Sequence, residues 1–303
     1  MTLSAIVIKY SDDHVEVEEV NPFTLHSLKQ CVGFLYREEF SKINQSDLDK
    51  KPEGTCFFVA RFTPERLSNY LVTAKHVWKN LKATDGQMFV RLNRINTGVL
   101  YVPLPKDGWV EYPDENVDLV VLPWLPGREL AKQGGVTLMP LHIDVISSSR
   151  RLAGELDKVW PPEECEEVFF VGLMMQHQGQ ERNFPVVRMG HIALNTDELI
   201  DVGSGPSCYR LIESQSYRGN SGAPVWAYYG DTKDGLHCFL GILSLGFGSE
   251  AEIIEKNRYY NYGISAVVPG EYLTELLNHL EDEKSHRHPP DSDRGTPLDV
   301  TTE

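Results

Sequence analysis

Long apolar runs are missing from this chain of 303 residues. The longest, Cys238 to Phe247, is broken by Gly241, Ser244 and Gly246 and falls far short of the ~20 residues that span a bilayer, so no membrane partner is expected. Positive charge is scarce as well. Lys and Arg total 29 against 44 Asp and Glu, a net −15, which argues against a phosphate-neutralising surface and so against nucleic acid as a partner. Cysteine is sparse and unpatterned: Cys31, Cys56, Cys165, Cys208 and Cys238 are odd in number and form no C-x-x-C pair, so free, mostly buried thiols are expected. His142, His177 and His191 lack ligand spacing, and neither a metal nor a cofactor is expected. The start carries no secretion signal, since Ala5-Ile-Val-Ile8 runs at once into Lys9, Asp12, Asp13 and Glu16; a cytoplasmic location is the expectation. There is no repeat of solenoid type and little helical periodicity.

What is present is core-forming material, 41% hydrophobic and 10% aromatic, in short β-branched and aromatic runs separated by Gly, Pro, Asn and Asp. The expected strands are Ala5–Ile8, Cys31–Tyr36, Thr55–Arg61, Tyr70–Thr73, Met88–Leu92, Val99–Val102 and Asp118–Leu122, then Glu167–Leu173, Val186–Leu194, Tyr209–Glu213, Ala223–Tyr228, His237–Leu245 and Tyr262–Val267. The chain reads as all-β, in two groups. Residues 30–124 make the first and 163–280 the second, with 125–162, rich in Pro, Gly and Ser, as a connection of little regular structure. One helix is expected over Tyr272–Leu280, where Leu273, Leu276, Leu277 and Leu280 share a face. Residues 281–303 read as a disordered acidic tail. Residues 1–29 read as an N-terminal extension that edges the first group.

Three separated segments hold the chemistry. Tyr70-Leu-Val-Thr-Ala-Lys-His76 would present an imidazole at the end of an apolar strand. Asn116-Val-Asp118-Leu-Val-Val-Leu122 places a carboxylate at the mouth of another, where desolvation demands a hydrogen-bond partner. Arg218-Gly-Asn-Ser221-Gly-Ala-Pro224 sets a Ser in a Gly-flanked turn whose N–H groups can point to one side, as stabilising an oxyanion requires. A Ser hydroxyl needs an imidazole base, and that base needs a carboxylate to fix its tautomer. The order His76, Asp118, Ser221 is the one found on double β-barrels. Asp114 and Asp144 precede no apolar strand and are set aside.

On Thr73-Ala-Lys-His76, Asp118-Leu-Val-Val, Gly219-Asn-Ser-Gly-Ala-Pro224 and Gly241-Ile-Leu-Ser-Leu-Gly246, the chain resembles the chymotrypsin-fold (trypsin-like) serine peptidases over about residues 30–280. The resemblance implies two packed six-stranded antiparallel β-barrels with a C-terminal helix. It implies a serine endopeptidase with His76 as general base, Asp118 as orienting carboxylate, Ser221 as nucleophile, and the N–H groups of Gly219 and Ser221 as the oxyanion hole. Gln215 would lie at the base of the primary pocket, with Gly246 and Gly263 on its walls. Ser244, Leu245 and Gly246 would pair with an extended protein or peptide substrate. A neutral Gln215 implies a preference for uncharged side chains before the scissile bond. Lys75 and Ala223 depart from the usual small residue and Gly, and Val77 follows His76 where secreted relatives place a disulfide cysteine.

Two other classes fit less well. One is an inactive trypsin-fold module that captures extended peptides; the other is an α/β-hydrolase esterase, disfavoured because strand-like Ala223-Pro-Val-Trp-Ala-Tyr-Tyr follows Ser221. In relatives made as zymogens, an Asp before the nucleophile pairs with a newly released N-terminal amine. Here that position is Asn220, which carries no charge to anchor a buried ammonium. The oxyanion hole is therefore expected to form without N-terminal processing, held by Asn220 and the Gly219 turn or by a regulatory partner that the sequence does not identify.

Overall fold

A computed structural model describes residues 5–10, 15–20, 25–40, 48–63, 66–95, 97–124, 135–147, 163–201, 205–229, 236–250 and 259–287. Its elements are β1 (Ala5–Tyr10), β2 (Val15–Val20), α1 (Leu25–Gln30), β3 (Val32–Phe40), β4 (Leu48–Thr63), β5 (Arg66–Thr73), α2 (Lys75–Lys82), β6 (Met88–Asn93), β7 (Val99–Leu104), β8 (Val110–Glu111) and β9 (Val120–Pro123). After these come β10 (Val136–Leu138), β11 (Leu141–His142), α3 (Ile143–Ser147), β12 (Glu167–Gly172), β13 (Val186–Leu194), β14 (Ile200–Asp201), β15 (Pro206–Ser207), β16 (Arg210–Glu213), β17 (Pro224–Tyr229), β18 (Leu236–Glu250), β19 (Tyr259–Pro269) and α4 (Gly270–Arg287).

The second half closes into a six-stranded barrel in the order β12-β13-β16-β19-β18-β17, and the first half forms an antiparallel sheet in the order β7-β6-β3-β4-β5-β9-β8. The double-barrel arrangement with a C-terminal helix therefore holds, with a difference in strand count. The first sheet has eight strands rather than six, because β8 adds to β9 and β11 adds to β4 in parallel. The reason is local. β3 begins at Val32, opposite Phe57, so the stretch of β4 beyond Phe57 has an open edge that Leu141 and His142 fill beside Val59 and Ala60.

Period-two alternation explains how the halves join. In β4, Cys56, Phe58 and Ala60 face the interior of the first sheet, while Phe57 and Val59 face a second cluster shared with the other half. β12 mirrors this, with Val168 and Phe170 inside the closed barrel and Phe169 and Val171 in the shared cluster. Both strands are thus apolar on both faces, as strands buried between two layers must be.

Of the connecting segment, residues 135–147 are described and carry β10, β11 and α3, while 125–134 and 148–162 lie outside the described residues. Within 125–162, β10 pairs with β1, which pairs with β2, so residues of the extension and the connection build a three-stranded sheet of their own. Helix α4 starts before and ends after the expected range. Its four leucines enter the shared core as expected, but the helix continues through residues 281–287, whose composition reads as tail; 288–303 lie outside the described residues. Glu281 is buried and accepts a hydrogen bond from the Tyr70 hydroxyl of β5, which ties the last turns of the helix to the first half.

Tyr70→Phe removes a donor from a buried carboxylate and should cost roughly 1–3 kcal/mol, read as a lower urea midpoint with faster amide exchange at the end of α4. Stability and exchange equal to wild type would show that this tie does not hold the helix.

Candidate active site

His76 lies in the first turn of α2, one of three short helices not foreseen in the sequence. Val77, Trp78 and Leu81 of α2 are buried, which turns the His76 side chain outward. The ring sits beside Asp118, with Nδ1 2.7 Å from Oδ2, and the backbone N–H of His76 donates to Oδ1 at 2.8 Å. A carboxylate only accepts, so Nδ1 carries a proton, and whenever the ring is neutral Nε2 carries the lone pair. Exposure separates their roles: the His76 side chain is 41% accessible and that of Asp118 is 13%. Lys75 steadies the same corner, its backbone N–H donating to Asp118 O (3.3 Å) and its Nζ to Glu115 O (3.1 Å).

The Ser244 hydroxyl also donates to Asp118 Oδ2, at 2.5 Å. Tyr209 Oη lies 3.1 Å from Ser244 Oγ; with the Ser244 proton committed to the carboxylate, the phenol is the donor. Burial and the nearby Asp118 charge push the Tyr209 phenol up to about 12, so it keeps its proton. Burial raises the Asp118 carboxyl, but the hydrogen bond from His76, the imidazole's charge and the Ser244 hydroxyl outweigh it, and the net position is below its ordinary 3.8.

Ser221 lies in the turn between β16 and β17. Gly219 and Gly222 have φ of +98° and +89°, a region disfavoured for side-chain-bearing residues. Space forbids a Cβ there too. One at Gly219 would lie 2.7 Å from Met175 Cγ, and one at Gly222 would lie 2.0 Å from Thr55 O. The Asn220 side chain, 2% exposed, donates to Leu173 O (2.7 Å) and accepts from Tyr217 N (2.8 Å). Backbone bonds run from Asn220 N to Tyr217 O and from Ala223 N to Asn220 O. The N–H groups of Gly219 and Ser221 donate to nothing among the described residues.

Thr55, fully buried in β4, binds this turn to the first half. Its N–H donates to Ser221 O (2.8 Å) and its Oγ1 donates to Gly219 O (2.7 Å) and accepts from Leu173 N (2.9 Å). Its carbonyl accepts from Thr73 Oγ1 (2.7 Å), three residues before His76. On the other side Gly222 N donates to Leu243 O (2.7 Å), and the next residue is Ser244. The turn is thus joined to the His76–Asp118 pair along two paths. The Ser221 hydroxyl itself has no hydrogen-bond partner among the described residues.

Of the residues expected to contact substrate, Ser244 spends its hydroxyl on Asp118. Leu245 and Gly246 pair with Ala266 and Ser265, while β17 pairs with β18 only as far as Ile242. Gly263 has open space beside its α-carbon. Gln215 is exposed rather than at the foot of a pocket, its Oε1 accepting from Tyr217 Oη at 3.0 Å. The buried polar groups beside it are Ser214, Ser216 and Ser265, with Ser265 Oγ 2.7 Å from Ser214 O and 2.8 Å from Ser216 Oγ. Thr55 and Tyr209 were missed in the sequence; each looks like an ordinary strand residue there.

No protein-family model matches the chain, and no curated protein matches it. Among solved structures it is similar to the catalytically active tobacco etch virus protease complexed with product, at 16% identity over 86% of this chain and 82% of that one, with a TM-score of 0.41. It is also similar to a cysteine-to-alanine mutant of the same protease, at 16% identity over 87% and 84%, with a TM-score of 0.43. Among the described residues no helix is long and apolar enough to cross a membrane, and no group of His, Cys, Asp and Glu is arranged to hold a metal.

Thr55→Val keeps the shape and strands Gly219 O and Leu173 N, so it should destabilise by roughly 1–3 kcal/mol in urea unfolding. A change within about 0.5 kcal/mol would mean that the turn holds itself. Asp118 gives a pH test. Its folded value lies below its unfolded one, so its stabilisation is present above the ordinary carboxylate range and is lost as pH falls through it toward the lower folded value. Asp118→Asn should be less stable than wild type at about pH 7, with the gap closing toward about pH 3; a gap indifferent to pH would refute this.

Proposed function

We propose that the chain is a serine endopeptidase acting through Ser221, His76 and Asp118. The observation that carries this is the His76–Asp118 pair, doubly hydrogen-bonded and joined through Thr55 and Ser244 to a turn with two uncommitted N–H groups. The resemblance in sequence motifs and the double-barrel topology point the same way.

In this reading a peptide lies extended along Ser244, Leu245 and Gly246 of β18. Ser221 Oγ attacks the carbonyl carbon while its proton passes to His76 Nε2, and the hydroxyl–imidazole contact closes as substrate arrives. The carbonyl oxygen, now negative, accepts from the N–H groups of Gly219 and Ser221. His76 then returns the proton to the leaving amine, which departs and leaves an acyl-enzyme. Water, deprotonated by the same nitrogen, releases the acid and restores Ser221. Asp118 stabilises the charged imidazole and stays ionised throughout.

The uncommitted Ser221 hydroxyl favours one second reading, a module that binds extended peptides without cleaving them. A fluorophosphonate separates the two. The full-length chain, uncleaved ahead of residue 30, should be labelled on Ser221 in stoichiometric amount, since Asn220 holds the turn without a charged partner. Ser221→Ala should not label, and His76→Ala should label about 10³-fold more slowly or worse. A folded wild-type chain that binds peptides but takes no label would be the module. Labelling only after cleavage near residue 30 would overturn the role given to Asn220.

A further inference from the structure

Beside the nucleophile turn lies a guanidinium with nothing to neutralise it. Arg188, on β13, is half-buried, and its Nε is buried without a partner. Among the described residues the guanidinium makes no hydrogen bond or ion pair; it lies over the face of the Tyr217 ring, 4.6 Å from guanidinium carbon to centroid. The neighbouring Arg218, by contrast, is drawn to Glu53 at 3.7 Å. An arginine that is partly desolvated and unpaired is costly, and it suits a carboxylate that arrives from outside.

Its position is set by the same bonds that build the turn. Tyr217 N donates to Asn220 Oδ1 and Tyr217 O accepts from Asn220 N, so the aromatic ring is fixed relative to Gly219 and Ser221. Strand β13 is held alongside by Ser214 Oγ, which donates to Met189 O at 3.0 Å. The other end of the ring carries a second donor. Tyr217 Oη donates to Gln215 Oε1, which occupies the amide oxygen and leaves the exposed Gln215 Nε2 with its two N–H groups. Arg188 on the ring face and Gln215 Nε2 at the hydroxyl end offer donors, and among the described residues neither is paired with an acid.

We infer that Arg188, Tyr217 and Gln215 form a subsite for an acidic side chain, Asp or Glu, of the peptide substrate close to its scissile bond. This rests on the peptide-binding cleft of the proposed function, and it replaces the preference for uncharged residues that a pocket-base Gln215 implies. The carboxylate would take the guanidinium fork on one side and the Gln215 amide on the other, over a ring that excludes water from one face.

The test measures binding apart from chemistry. Full-length Ser221→Ala protein is titrated by fluorescence anisotropy with fluorescein-labelled peptide pools, each fixed as Glu or as Gln at one position. At one position the Glu pool should bind about tenfold more tightly than the Gln pool, and the preference should shrink as salt rises. Adding Arg188→Gln should abolish it. Gln215→Glu, at an exposed residue that folding does not depend on, should reverse or erase it. Equal binding of Glu and Gln pools at every position overturns the inference, as does a preference that survives both substitutions. Fluorophosphonate labelling of wild type is scored separately, so an acidic preference without labelling would sustain the subsite while removing the peptidase.

Discussion

Thr55 is the residue on which the geometry of the site depends. It belongs to a strand of the first half, yet three of its four hydrogen bonds reach across to the second, to Ser221 O, Gly219 O and Leu173 N. The fourth, from Thr73 Oγ1, anchors the strand that leads into His76. A side chain with one donor and acceptor oxygen, flanked by its own peptide groups, thereby sets the Ser221 turn against His76. Valine has the same shape and cannot do this. Because Thr55 is fully buried, its polar groups would otherwise bear their full desolvation cost.

That clamp works only if the two halves cannot slide, and the shared apolar layer prevents sliding. Phe57, Val59, Tyr70 and Val72 from one half meet Phe169, Val171, Trp226, Phe239 and Ile242 from the other in a continuous cluster, with the leucines of α4 closing it. Close-packed interiors resist displacement because any shift opens voids. The polar site lies at the edge of this layer, where β4, β5 and β18 come together, so rigid apolar packing positions hydrogen-bonding groups that carry little packing energy themselves.

How far the sequence revealed this depends on the range of the interactions. The His76, Asp118 and Ser221 segments were legible because each is a local motif: an apolar strand with one polar end, or a turn whose glycines answer to positive φ at Gly219 and Gly222. Most strands were legible for the same reason, through alternation. Thr55 was not, since its meaning lies in partners such as Gly219, 164 residues away. Ser244 was noticed for its backbone and missed for its hydroxyl, which binds a carboxylate 126 residues earlier in the chain. Helix α2 was missed because eight residues show too little periodicity to stand out from the strand before them. The connection was read as irregular from its Pro and Gly, but β11 answers to an open edge of β4 that no local pattern announces.

The charges around the site follow from the same economy of neutral groups. Within the Ser221 turn, Gly219 and Asn220 are held by amides, carbonyls and hydroxyls: Asn220, Thr55, Leu173 and Tyr217. A carboxylate at position 220 would accept from Tyr217 N as Asn220 Oδ1 does, but it has no proton to give Leu173 O, and at 2% exposure it would require a buried cation. The amide satisfies both neighbours and requires none, so the turn can keep its shape without an ion pair and without any titration in the working range. The carboxylate beside His76, Asp118, takes hydrogen bonds from His76 N, His76 Nδ1 and the Ser244 hydroxyl. Fixed N–H dipoles, held by bonds that do not titrate, are what the proposed reaction would require of Gly219 and Ser221 for an anion that exists only while it proceeds.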